Sequence, residues 1–278
     1  MDLPLEILLL IAEIAARDES RNTKGWVADL TLVARAFKTA VDPILYYCVT
    51  IDDNNHTRLF SAASTGVAGF AMTRQLVMFM HIYIMDGDPV MTSVLAKTFA
   101  HVPYVSGRPT ATMWFLLECP APRPRALSMT GLPHPSWLTD PNEVLQAYAL
   151  THLRVAFEAD LWSRTGYPAP QMLQGLTALT HLALDVEGDH EATGVIYEVF
   201  APWLPPSVQR FLLRTRGVRD PVTFGLLLAK VARDRQDRRL WFDSRPTLPG
   251  PRSLLRSALD DARMGLALWD QGVQLYDQ

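Results

Sequence analysis

The run Leu150-Thr151-His152-Leu153-Arg154-Val155 returns as Leu179-Thr180-His181-Leu182-Ala183-Leu184, and the two share the string Leu-Thr-His-Leu. Gln209-Arg210-Phe211-Leu212-Leu213 and Arg238-Arg239-Leu240-Trp241-Phe242 follow with the same strand-like texture. Leu153, Leu182, Phe211 and Leu240 serve as anchors, each 29 residues after the one before. Weaker runs precede them at Phe79–Ile84, Tyr104–Ser106 and Ala126–Met129, giving steps of 23, 22 and 26 residues through Ile82, Val105, Leu127 and Leu153. Periods of about 20–29 residues are the regime of strand-plus-helix repeats.

Helices fit the gaps. Asp-Pro occurs at Asp42-Pro43, Asp88-Pro89, Asp140-Pro141 and Asp220-Pro221. In each, the carboxylate can cap a helix whose first residue is the proline, whose missing N–H would be unpaired there anyway. The spacing predicts helices over Val90–Ala100, Asn142–Leu150, Glu191–Phe200 and Val222–Val231. A strand followed by a helix followed by a strand at this spacing demands a parallel sheet. The alternation is the sturdier signal, because anchors can be chosen to make steps equal. Prolines crowd between Pro103 and Pro141, which predicts irregular loops there. Leu255, Ala258, Leu259, Ala262, Leu266 and Trp269 give Ser253–Trp269 an amphipathic pattern, expected to cover the open end of the sheet.

The first fifty residues differ. Ile7, Leu8, Ile11, Ile14 and Ala15 follow one helical face, while Leu9 and Leu10 put leucine on other sides, so this helix needs cover twice. A polar break spans Arg17–Gly25. A second helix is expected from about Asp29, carried by Leu30, Val33, Phe37 and Val41 and stopped by Pro43. Ile44–Ile51 then passes from a short helix into a first strand.

The 278 residues are 49% hydrophobic and 20% charged with a formal net charge of -3, which supplies a core and excludes a mainly disordered chain. The near-neutral balance argues against nucleic acid as a partner. No stretch reaches the roughly 20 apolar residues of a membrane span. The opening helix lacks a basic flank and carries Asp2, Glu6 and Glu13, so no secretion signal and no membrane partner are expected. Cys48 and Cys119 stand apart from any ligand spacing and read as small hydrophobes suited to a reducing compartment, cytoplasmic or nuclear.

Residues 3–47 resemble an F-box. Leu3, Pro4, Glu6 and Ile7 match its Leu-Pro-x-Glu-Ile opening, Ile11 and Ile14 its first helix, Leu30-Thr31-Leu32-Val33-Ala34-Arg35-Ala36-Phe37 its second, and Val41–Leu45 its hydrophobic exit. The polar stretch Arg17–Gly25 is longer than the family's. The remainder is similar to the degenerate leucine-rich regions that follow an F-box in many basidiomycete fungal proteins, several of which end in a Trp-bearing helix. The resemblance implies a substrate receptor of an SCF-type cullin–RING ubiquitin ligase. Its dock for the Skp adaptor would be Leu3, Pro4, Ile7, Leu8, Ile11, Leu30, Val33 and Phe37. The other reading of the same residues is an N-terminal cap on a free-standing, repeat-type binding scaffold.

The fold expected is therefore α/β: a three-helix F-box-like module over 1–47, then an irregular leucine-rich-repeat-like strand–helix solenoid over 48–278 with a parallel sheet and a C-terminal capping helix. No nucleophile elbow, phosphate loop, dinucleotide fingerprint or zinc-protease motif is present, so no enzyme activity and no cofactor or metal are expected. Asp185-Val186-Glu187-Gly188-Asp189-His190-Glu191 is the densest polar cluster and reads as a solvated strand end. Arg233–Arg239 mixes signs like a wet helix end. With the anchors inward, their neighbours should point out as columns on a recognition face for a target protein. Arg154, Asp185, Arg210, Arg214, Arg239 and Trp241 are the substrate-binding candidates on that face, with Asp243 beside them. Arg and Trp are the types that anchor interfaces.

Overall fold

A computed structural model describes residues 4–19, 24–80, 89–119, 124–130, 149–158, 171–187, 192–216, 220–244, 261 and 265–277. Among them are eight α-helices, α1 (Leu5–Glu19), α2 (Lys24–Val33), α3 (Arg35–Leu45), α4 (His56–Ser64), α5 (Pro89–Thr98), α6 (Pro109–Glu118), α7 (Ala192–Phe200) and α8 (Pro221–Asp234). Nine strands alternate with the later helices: β1 (Cys48–Ile51), β2 (Gln75–Met78), β3 (Tyr104–Gly107), β4 (Ala126–Met129), β5 (His152–Glu158), β6 (His181–Glu187), β7 (Arg210–Arg216), β8 (Leu240–Asp243) and β9 (Val273–Gln274). They form one open α/β sheet in which spatial order equals chain order. β1 to β8 are parallel, and β9 closes the β8 edge antiparallel.

The register places the sequence anchors in one row, with Leu153 opposite Leu182, Leu182 opposite Phe211 and Phe211 opposite Leu240. That row continues through Leu127, Val105, Leu76 and Val49. All eight side chains are buried in the main core, together with Leu95, Phe115, Phe200 and Phe224 from the helices. The helices α4 to α8 thus cover one face of the sheet, and side chains alternate away from them on the other. A fully buried leucine contributes about 1.5–3 kcal/mol, so this row is the spine of the fold.

Strand entry repeats as well. One carbonyl accepts from two consecutive amides of the next strand at Tyr47 (from Arg74 and Gln75), Pro103 (Arg125, Ala126), Arg125 (Thr151, His152), Thr151 (Thr180, His181) and Thr180 (Gln209, Arg210). This explains the returning Leu-Thr-His-Leu string. Its first leucine is buried, and the Thr151 and Thr180 hydroxyls donate to the Arg125 and Thr151 carbonyls at 3.2 and 2.9 Å. Each histidine turns toward the face opposite α4 to α8, and the last leucine enters the core.

Several expectations are corrected. The strand expected at Phe79–Ile84 lies at Gln75–Met78, so the register steps are Val49 to Leu76 to Val105, not through Ile82. The proline-rich stretch contains α6, started by Pro109 after an extended Arg108. The single helix expected from Asp29 is two, because Ala34 is extended between α2 and α3. Pro43 lies inside α3 and does not stop it; its missing N–H falls in the last turn, and the next ladder bond runs from Tyr46 N to the Asp42 carbonyl. Asp42-Pro43 is therefore not a helix start. Asp220-Pro221 is, with the Asp220 carboxylate accepting from Val222 and Thr223 N–H at 3.1 and 3.0 Å. Asp140-Pro141 and most of Asn142–Leu150 lie outside the described residues, as do Asp88 and nearly all of Ser253–Leu266. What is described of the C-terminal stretch beyond Asp261 is a 3-10 turn over Gly265–Leu268 and the strand β9, lying across the sheet face and along its edge.

The three N-terminal helices build their own small core from Ala16, Val27 and Val41, with Leu30, Ile44 and Leu45 against it. Tyr46, capping α3, meets Phe70 edge-on at 5.8 Å, and Phe70 meets Phe99 at 5.2 Å. Gly69 is needed at this joint, because a Cβ there would fall 2.4 Å from the Tyr46 ring. α3 and β1 are separated by two residues.

Candidate functional site

Two surfaces matter. The first is the outside of the N-terminal helices. Ile7, Leu8 and Ile11 are 42%, 38% and 52% exposed, and Leu5, Leu10 and Ile14 are exposed beside them. On α2, Leu32 and Val33 are exposed, and Trp26 adds an indole. Of the expected dock, Pro4, Ile7, Leu8, Ile11 and Val33 are thus accessible, while Leu30 and Phe37 are half-buried and Leu30 belongs to the three-helix core. Leu3 lies outside the described residues. A continuous run of exposed isoleucine and leucine on one short helix is unusual for a surface that meets only water.

The second surface is the sheet face opposite the helices. Between a recognition face and one covered by adjoining segments, the structure shows cover over Arg154, Asp185, Arg214 and Asp243. Arg154 and Asp185 have no exposed surface at all, and Arg214 and Asp243 are buried with them. The Arg154 guanidinium gives Nε and Nη2 to Asp185 Oδ2 and Nη1 to Ser128 Oγ at 2.8 Å. Its Nη2 also meets Asp261 Oδ2 at 2.8 Å. Arg214 binds the other oxygen of Asp261 at 2.9 Å and lies 3.4 Å from Asp185 Oδ1 and 3.8 Å from Asp243. Asp261 therefore bridges two guanidiniums carried by β5 and β7. Burial opposes the charge on Arg154, yet Asp185 and Asp261 outweigh it and hold the guanidinium more firmly protonated than usual.

Beside this cluster the C-terminal segment lies on the strands. Trp269 is edge-on to Tyr104 at 5.9 Å and to His152 at 5.0 Å, and belongs to an apolar cluster with Val77, Ala126, Ala183 and Leu212 that is spread over β2 to β7. His152 and His181 stack at 4.3 Å with 11° between their planes. Nδ1 of each lies 2.8 Å from the hydroxyl oxygen of the threonine before it. Since the threonine proton goes to a carbonyl, Nδ1 carries the hydrogen and Nε2 the lone pair. Burial and the paired ring push His152 down to about 4, and burial with the Arg210 charge pushes His181 down too. Burial also raises the Tyr104 phenol, to about 12.

Arg210 and Trp241 come together, the guanidinium 3.5 Å above the indole while its Nη2 donates to the Gln271 carbonyl at 2.6 Å. Arg239 is drawn elsewhere, to Asp237, which also accepts from Tyr197 at 2.9 Å. Burial works against the Asp237 charge, but the Arg239 hydrogen bonds prevail and lower its pKa. Arg154, Asp185 and Arg214 are thus one buried ion cluster, Arg210 and Trp241 a half-buried pair beside it, and Arg239 is apart from both. Asp261 completes the cluster and left no periodic signal in the sequence.

Among the described residues no group of three or more His, Cys, Asp or Glu could hold a metal. No helix among them is long and apolar enough to cross a membrane. No protein-family model, curated protein or solved structure matches the chain.

Proposed function

We propose that this chain is the substrate-recognition subunit of an SCF-type cullin–RING ubiquitin ligase. Its N-terminal helices, residues 1–47, act as an F-box that docks the Skp adaptor. Its strand–helix array, residues 48–278, acts as a leucine-rich-repeat-like solenoid that holds a target protein. The observation that carries this reading is the division of labour in the helical module. Ala16, Val27 and Val41 make its core, whereas Ile7, Leu8, Ile11 and Val33, which match docking positions of the F-box pattern, stay accessible.

The mechanism is noncatalytic. The chain makes no bond; it keeps a target lysine near the ubiquitin thioester carried by the ligase, which raises the effective concentration of the reacting groups. A fixed joint serves that task, and the Tyr46–Phe70–Phe99 contact supports one. Such an assembly works in the cytoplasm or nucleus.

The test is co-purification of the full chain with a Skp-type adaptor. Ile7→Asp with Ile11→Asp is expected to abolish adaptor binding and to leave thermal unfolding nearly unchanged, because both side chains already face solvent. Binding that survives in the folded double variant would remove the proposed dock. A folded wild-type chain that takes no adaptor would be a free-standing scaffold instead.

A further inference from the structure

We infer that the C-terminal segment is an internal stand-in for a ligand, and that the seat it fills takes a carboxylate side chain of an acidic, aromatic-bearing peptide. The inference deepens the reading of the sheet face as the target surface and rests on it, but not on the adaptor dock.

Asp261 is held as a ligand carboxylate would be, one oxygen on Arg154 at 2.8 Å and the other on Arg214 at 2.9 Å. Both guanidiniums come from strands of the continuous sheet, and Asp185 holds Arg154 in place from the strand between them. The seat therefore has a framework that does not include Asp261. Eight residues along, Trp269 is buried edge-on to Tyr104 and His152 of that face, its indole N–H donating to the Leu153 carbonyl. Arg210 then grips a main-chain carbonyl, at Gln271, which is how a reader of peptides holds a segment without regard to its sequence. An acid, an aromatic and a main-chain contact are thus supplied to that face by one segment of chain.

Charge selects the ligand. Arg154 and Arg214 already face Asp185 and Asp243, so the four together are neutral, and a seated single carboxylate brings the site to one net negative charge. A phosphate dianion would bring it to two beside the same buried acids, which disfavours it. A carboxylate is the occupant the seat accepts.

The test uses the full chain carrying Asp261→Ala and Trp269→Ala, and as probe a synthetic peptide of this chain's residues 257–277. The peptide is expected to bind the folded double variant saturably and wild type at least about tenfold more weakly, a difference of about 1.4 kcal/mol. A peptide with Asp261→Asn, or with phosphoserine in that place, is expected to bind at least about tenfold more weakly than the unaltered one. No binding to the folded variant, or equal binding of the three peptides, would overturn the inference. Should the double variant not fold, hydrogen exchange of the wild-type chain decides. Amides of 265–277 exchanging about tenfold or more faster than those of β5–β7 support a displaceable segment, and exchange only together with those strands refutes it. The adaptor is absent from both measurements, so failure here and failure of the ligase reading are distinguishable.

Discussion

Replacing Arg154 by Met removes the hub of the buried ion cluster while keeping much of its volume. The loss includes the bonds to Asp185 and Ser128 and the contact with Asp261 at 2.8 Å, all fully shielded from water. Arg214 remains, 2.9 Å from Asp261, 3.4 Å from Asp185 and 3.8 Å from Asp243, and its one charge cannot neutralise three acids. Breaking a buried pair by removing one partner costs about 3–5 kcal/mol. For a chain of this size each kcal/mol moves the midpoint by about 2–4 °C, so Tm should fall by about 10 °C. Adding Asp185→Asn removes one stranded charge, so the double variant should be more stable than the sum of the singles, by about 0.5–3 kcal/mol. Urea and thermal unfolding of the four chains measure this cycle. A drop below about 1 kcal/mol for Arg154→Met would mean the guanidinium stands in water, and the description of a covered face would be wrong.

Three other outcomes follow from single contacts. Because the folded pKa of His152, about 4, lies below its unfolded value of 6.5, its contribution is fully present above pH 6.5 and is lost as pH falls toward 4. His152→Phe should flatten the stability–pH curve in that window, and an unchanged slope would dissociate the stacked pair from acid sensitivity. Gln236 sits at φ 52 just after the α8 C-cap, so Gln236→Gly should raise stability by about 0.5–1 kcal/mol, read from the urea midpoint. Gly272 holds φ 87, and a Cβ there would fall 2.5 Å from the Phe242 carbonyl oxygen, so Gly272→Ala should loosen β9 and speed hydrogen exchange at Leu275, whose N–H donates to Leu240.

Much of the sheet was legible because parallel strands in chain order put residues of equal role at equal positions, and Leu153, Leu182, Phe211 and Leu240 carry that role openly. Asp220 was legible because its cap needs only local chemistry. β2 was misplaced because Gln75–Met78 has a weaker strand composition than the aromatic and β-branched run directly after it. α6 was hidden by prolines, although Pro109 is at the one helical position that suits it. The partners that cover the sheet face are the least legible part. Arg and Asp are usually outside, and only a pairing across 31 residues to Asp185, and from β5 to the distant Asp261, brings Arg154 in. Such a pairing has no period for a sequence to display.

The most direct measurement of the central claim is a pull-down of the full-length chain with a purified Skp-type adaptor, in parallel with the Ile7→Asp/Ile11→Asp chain at matched folding by circular dichroism. The account predicts a stoichiometric complex for the first and none for the second. Equal retention of the two, or no complex with the folded wild type, would contradict it.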